Sequence, residues 1–145
     1  MLLQQLNRSD AEKVFIIVMN ASGVTVTQGA LACFDARTTN SLGNAVMQPI
    51  TSNLAAFAGC FDADLAADAF GLVQVYGYRA SVAVRPAGLN EAVITASGIQ
   101  LGPITGAWSA QSQLLGPIGS FHGPIVLLDP AVSNLGWAKG FIRAL

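Results

Sequence analysis

Between Gly71 and Val84 the chain reads Gly-Leu-Val-Gln-Val-Tyr-Gly-Tyr-Arg-Ala-Ser-Val-Ala-Val, and Leu72, Gln74, Tyr76 and Tyr78 alternate with Val73, Val75, Gly77 and Arg79. Successive side chains of an extended backbone leave opposite faces, so a period of two rich in valine and tyrosine builds a half-buried strand. Gly77, between two tyrosines, admits a bulge or the close approach of another backbone. A strand this long with such a break in it is expected to bend, as strands do in a compact barrel or sandwich. The expected fold is all-β: a small antiparallel β-barrel or sandwich, of jelly-roll or related type, with long loops.

The rest of the chain fits one domain over residues 1–145, with an N-terminal arm over 1–13 and a β core over 14–145. Val14 to Met19 reads as a fully buried strand and Asn20 to Gly23 as a turn. Val24 to Thr27 reads as the start of a second strand that resumes over Ala30 to Phe34. Asp35 to Asn44 is a polar loop, and Ala45 to Pro49 is extended because the residue before a proline is pushed out of the helical region. Leu54, Phe57 and Phe61 have helical spacing, but Gly59 and Cys60 interrupt it, and a strand over Ala56 to Phe61 followed by an acidic turn is preferred. Ala92 to Ala96 and Ile99 to Leu101 suggest a hairpin around Ser97-Gly98. Ile125 to Leu128 and Trp137 to Leu145 complete the expected strands. The Gly-Pro pairs at 102–103, 116–117 and 123–124 punctuate extended pieces rather than forming a repeat.

Charge is scarce. Only 10% of residues are Asp, Glu, Lys or Arg and 52% are hydrophobic, against about 25% charged in an ordinary soluble domain. So much apolar surface is expected to be covered by something. Val14 to Met19 is the longest apolar run and falls far short of the roughly 20 residues of a membrane-spanning helix, so no membrane partner is expected. With a net charge of −1 and no cluster of Lys or Arg, no nucleic-acid partner is expected either. Protein partners remain, with the chain as an oligomer, an assembly subunit, or both. The first ten residues lack the basic start and apolar core of a signal peptide. They read as the start of a protein that is not secreted, with Cys33 and Cys60 as buried free thiols in a reducing compartment.

Catalytic grammar is sparse. His122 is the one histidine, and without a second histidine or a cysteine pair at ligand spacing it makes a poor metal ligand. Asp62, Asp64 and Asp68 lack the loop pattern of a calcium site and read as solvated turn carboxylates. No nucleophile elbow, phosphate-binding loop or dinucleotide fingerprint is present. No catalytic residue, cofactor or metal is expected. The candidate residues are those of an interface: Tyr76 and Tyr78 on one face of the long strand, Arg79 and Arg85 on the other phase, Trp137 near the end, and the apolar arm residues Leu2, Leu3 and Leu6.

The order of these features resembles that of small tailed-bacteriophage head proteins that decorate or cement the capsid. The resemblance rests on Val24-Thr-Val-Thr-Gln-Gly-Ala30, Met47-Gln-Pro-Ile-Thr-Ser-Asn53 and Phe57-Ala-Gly-Cys-Phe61 with its acidic turn. It continues through Phe70-Gly-Leu-Val-Gln-Val-Tyr-Gly-Tyr-Arg79 and the terminal Ala138-Lys-Gly-Phe-Ile-Arg-Ala-Leu145. It spans roughly Val14 to Val84 and the last strand; Leu89 to Leu128 lies outside it. The resemblance implies a β-barrel or sandwich, made in the host cytoplasm, that assembles as a homodimer or homotrimer on the capsid exterior and bridges neighbouring copies of the major capsid protein. The arm over 1–13 would then be a clasp that orders on binding. A head–tail connector or tail subunit shares the composition, and a small binding module or enzyme around His122 is the remaining alternative.

Overall fold

The computed structural model describes residues 12–37, 43–85, 93–94, 97–112, 123–129, 131–132 and 136–144. Among them are β1 (Val14–Asn20), β2 (Leu31–Phe34), β3 (Ala45–Met47), β4 (Phe57–Phe61) and the 16-residue β5 (Phe70–Arg85). The second half of the chain adds β6 (Val93–Ile94), β7 (Gln100–Pro103), β8 (Ala110–Ser112), β9 (Ile125–Leu127), β10 (Ala131–Val132) and β11 (Gly136–Arg143). The protein is all-β, as its alternating segments require.

β5 organises the molecule. Its first half pairs antiparallel with β1, and from β1 the pairing runs through β3, β2 and β4 back to β5 at Val73 and Gln74. Its second half pairs antiparallel with β11, and the pairing continues through β9, β7 and β8 to return to β5 at Val84 and Arg85. Two circuits of five strands therefore share one long strand. Closing a sheet on itself removes the unpaired edges that would otherwise template aggregation. Most pairs are antiparallel, but β1–β3 and β5–β8 are parallel, so the sheet is mixed. β6 and β10 form a separate two-stranded ladder.

Membership of both circuits demands that β5 change the face it buries. Val14 lies opposite Tyr76 and Phe15 opposite Gln74, which leaves Val75 as an extra residue on β5. A second shift, between the pairs Ala138–Val82 and Gly140–Arg79, puts a further extra residue on β5. Each bulge slips the two-residue period by one. Val73 and Val75 point into one core and Val82 and Val84 into the other. Gly77 sits between the shifts at φ +103°, where a Cβ would overlap the Glu12 carbonyl. That position admits only glycine.

The two cores meet at the β2–β4 ladder. Val18, Ala32, Val46, Phe61, Val73 and Val75 belong to the first core, and Val82, Leu101, Ile125, Leu127 and Ile142 to the second. Leu31 and Cys60, opposite each other on β2 and β4, turn into the second core, while Ala32, Ala58 and Phe61 of the same strands turn into the first. One ladder therefore lines both cores. Each large aliphatic side chain fully buried there contributes about 1.5–3 kcal/mol.

Three local expectations are corrected. β1 is not fully buried: Val14, Ile16 and Val18 face the first core, whereas Phe15 and Ile17 face outward. Val24 to Thr27 forms no strand beyond a single bridge between Val26 and Leu65, since Asn20 draws this turn inward through hydrogen bonds to Val24, Leu65 and Ala66 carbonyls. Among the described residues the two arms around Ser97-Gly98 do not pair with each other: β6 pairs with β10, while β7 pairs with β8 and β9. The Gly98 amide donates instead to the Leu127 carbonyl at 2.7 Å, so the turn docks on β9 rather than closing a local pair.

Candidate functional site

Where the second circuit packs against the first, polar groups are buried and fully used. Arg79 is 6% exposed. Its Nε donates to the Ser81 carbonyl at 2.9 Å, its Nη1 to Asp62 Oδ1 at 3.1 Å and Gln74 Oε1 at 3.3 Å, and its Nη2 to the Phe61 and Asp62 carbonyls at 2.6 and 3.4 Å. Every one of the five guanidinium N–H groups has an acceptor. Gln74 spends its amide hydrogens on the Tyr76 and Tyr78 carbonyls, at 3.1 and 3.0 Å. These carbonyls flank Gly77, where the ladder is irregular, and a buried carbonyl left unpaired there would cost about 1–3 kcal/mol. The cluster is a structural brace for the bend in β5.

Outside this seam the first circuit keeps an uncovered apolar strip. Across the β1–β5 ladder Ile17 lies opposite Leu72 and Met19 opposite Phe70, so their side chains share the outward face. Ile17 is 66% exposed, Phe70 57% and Leu72 46%, and Phe15 extends the strip. The bulge at Val75 puts Tyr76 on the opposite face of β5, where it packs edge-to-face on Phe141 of β11 with ring centroids 5.2 Å apart, beside Arg143. The strip proper contains no charged side chain.

A second feature lies beside β11. Trp137 is 56% exposed, and its indole lies against Gly29. It forms one wall of a groove of about 340 Å³ also lined by Thr27, Gln48, Arg85, Trp108 and Ser109. The Ser109 hydroxyl is buried without a hydrogen-bond partner. A larger hollow of about 590 Å³, walled by Leu54, Phe57, Pro103, Pro124 and Ala144, has Arg143 in its lining.

The candidate interface residues are dispersed by this architecture. Tyr76 and the half-buried Tyr78 lie beside Phe141 on the face of β5 opposite the strip, and Trp137 stands at the groove. Arg79 is withdrawn from the surface, because the bulges turn it inward and Asp62 of its own chain neutralises it. Leu2, Leu3, Leu6 and His122 lie outside the described residues, as does most of the arm over 1–13. The sequence reading missed Phe15, Ile17 and Phe70, and it set Leu72 on the face of the tyrosines, from which the bulge at Val75 separates it. The first two had a usable signal in their alternation with Val14, Ile16 and Val18, which an unbroken apolar run conceals.

The titratable groups do structural work. Cys33 and Cys60 are buried and unbonded, and burial pushes both thiols up to about 12. Asp35 is held below its ordinary value by hydrogen bonds from the Arg37 side chain, at 2.6–2.9 Å. Lys139 pairs with Asp129 at 2.7 Å on the surface, which raises the lysine. Asp64 accepts the Gln28 amide at 2.7 Å and Asp62 serves Arg79, so these turn carboxylates hold the chain. Among the described residues no group of three or more His, Cys, Asp or Glu could hold a metal ion, and no helix is long and apolar enough to cross a membrane. No protein-family model matches the chain, and no curated protein matches its sequence.

Proposed function

We propose that this protein is a structural part of a tailed-bacteriophage virion that sits on the outside of the head as an oligomer and ties neighbouring major capsid subunits together. The observation that carries the reading is the apolar surface left uncovered on a doubly closed β framework: the strip of Phe15, Ile17, Phe70 and Leu72, and Trp137 at its groove. Large apolar patches of this kind mark protein–protein contact. A closed framework suits a cement, because the load of packaged DNA is carried by contacts that must not deform. A lattice then multiplies weak contacts: each copy touches several subunits, and many copies act together. The low charge of the chain fits a surface largely covered after assembly. The residues that resemble head-decoration proteins, above all those of β5, form the shared strand on which both circuits close.

The test is co-sedimentation of the purified protein with shells of its cognate major capsid protein. Saturable binding at a fixed ratio to the capsid lattice, with added resistance of the shells to heat, is the expected outcome. A protein that stays in the supernatant at every concentration would defeat the reading. Incorporation at a handful of copies per particle would replace it with a connector or tail role.

A further inference from the structure

We infer that the outer face of β1 and β5 is the docking surface for a second copy of this chain, in a two-fold arrangement that sets strip against strip. The inference deepens the proposed function and rests on it for its biological setting, but the surface argument stands on the side chains themselves. Phe15, Ile17, Phe70 and Leu72 are all more than a third exposed. With about 200 Å² for each such side chain in full, they offer on the order of 400 Å². That is about half of the roughly 800 Å² that each partner contributes to a standard interface.

A second copy fits better than a capsid subunit for three physical reasons. A head-binding protein exists free in water before it meets a shell, and a strip this apolar must be covered meanwhile. Permanent homo-oligomeric interfaces are the apolar ones, whereas partners that meet late use more polar surfaces. Second, a two-fold contact needs a patch that complements itself. A charged patch would repel its own image, but this strip has no charged side chain. Third, the strip is continuous with a face the molecule already covers. Cys60 and Gln74, opposite each other on β4 and β5, lie on the part of the outer face that the second circuit buries. The strip is the remainder: Phe15 lies opposite Gln74 on the ladder, so the covered and uncovered parts adjoin. Trp137 and its groove are then left for the shell.

The experiment is sedimentation velocity on the full chain over a wide concentration range, comparing wild type with Ile17→Lys and Leu72→Lys. Leu128→Lys, at an exposed apolar residue away from β1 and β5, is the control. The expected result is a wild-type dimer whose dissociation constant rises at least 100-fold in both strip variants and stays unchanged in the control. A wild type that is monomeric throughout, or a closed trimer, overturns the inference. So does a strip variant that dimerises like wild type. Circular dichroism checks that the variants fold, and if Leu72→Lys does not, Ile17→Ser replaces it at the most exposed position of the strip. Co-sedimentation of the wild type with shells separates this inference from the proposed function. A monomer that decorates shells overturns the dimer and leaves decoration standing; a dimer that ignores shells supports the dimer and removes decoration.

Discussion

The Arg79 guanidinium lies 3.1 Å from the Asp62 carboxylate, and the two residues meet on unequal terms: Arg79 is 6% exposed and Asp62 44%. Four further hydrogen bonds from Arg79 go to the Phe61, Asp62 and Ser81 carbonyls and to Gln74. The carboxylate keeps contact with water; the cation depends on its neighbours.

This asymmetry predicts unequal losses. Arg79→Met leaves several buried acceptors without donors and is expected to lower unfolding free energy by about 3 kcal/mol or more, the cost of breaking a buried network from one side. Asp62→Asn keeps an acceptor near the guanidinium and removes only a solvent-screened charge, so it should cost about 1 kcal/mol or less. Urea denaturation of both variants is the check. Equal losses would mean that the ion pair, not the carbonyl brace, holds the seam.

Gly77 is predicted to be the least replaceable glycine of β5. Its φ of +103° disfavours any side chain, and a Cβ would overlap the Glu12 carbonyl. Gly23 has a comparable φ of +77° but open space around it. Gly23→Ala should therefore cost about 1 kcal/mol for strain alone, and Gly77→Ala clearly more, because the backbone of β1 must also move. A thermal-unfolding midpoint for Gly77→Ala equal to that of Gly23→Ala would show that the close approach carries no energy.

Much of this architecture was legible in the residues, and the failures have physical causes. The alternation from Leu72 to Val84 announced the long strand, and Gly77 its bend, because both are local properties of the backbone. The closure into two circuits was not legible, since it depends on β1 and β11 finding β5 across long stretches of chain. Arg79 shows the same limit. Its phase opposite the tyrosines was correct, but phase alone does not say which face is covered, and here the covered face takes the charge. The hairpin at Ser97-Gly98 failed because turn chemistry fixes a reversal of the chain and not the partner of each arm.

The buried thiols make stability fall in alkali. Burial raises both Cys33 and Cys60 from an ordinary value of 9.0 to about 12. The folded state thus favours the protonated thiol. Its contribution is complete below pH 9 and is lost as pH rises from there toward 12, at up to about 1.4 kcal/mol per thiol for each pH unit. The urea midpoint should drop between pH 8 and pH 10.5 more steeply in wild type than in a Cys33→Ala/Cys60→Ala double variant. Native protein should also resist a thiol reagent at pH 8 and take up two equivalents on unfolding. Parallel pH profiles, or rapid labelling of the native state, would contradict the burial argument.

Asp35 predicts the acid side. Its carboxylate is buried and accepts hydrogen bonds from the Arg37 backbone and side chain, which lower its pKa. A lowered carboxylate stabilises the fold fully above its unfolded value of about 3.9 and less as pH falls through its folded value. Wild type should therefore lose stability below about pH 4 faster than Asp35→Asn, which has no such proton to take up. Thermal scans at pH 3 and pH 6 measure the difference; an Asp35→Asn variant with an undiminished acid loss would assign it to other carboxylates.

Trp137 separates decoration from folding. Its indole is 56% exposed and lies against Gly29, a contact that adds packing to the surface but no core. Trp137→Ala is expected to cost about 1 kcal/mol of stability, far below the 3–5 kcal/mol of a buried tryptophan. A tryptophan at the edge of a groove is, however, the kind of side chain that carries binding energy at a protein interface, at 2 kcal/mol or more. The variant should then keep the wild-type solution mass and bind capsid shells at least about 30-fold more weakly, as measured by co-sedimentation. Shell binding at wild-type strength would move the capsid-facing surface away from this groove, and a loss of solution mass would make Trp137 part of the self-interface instead.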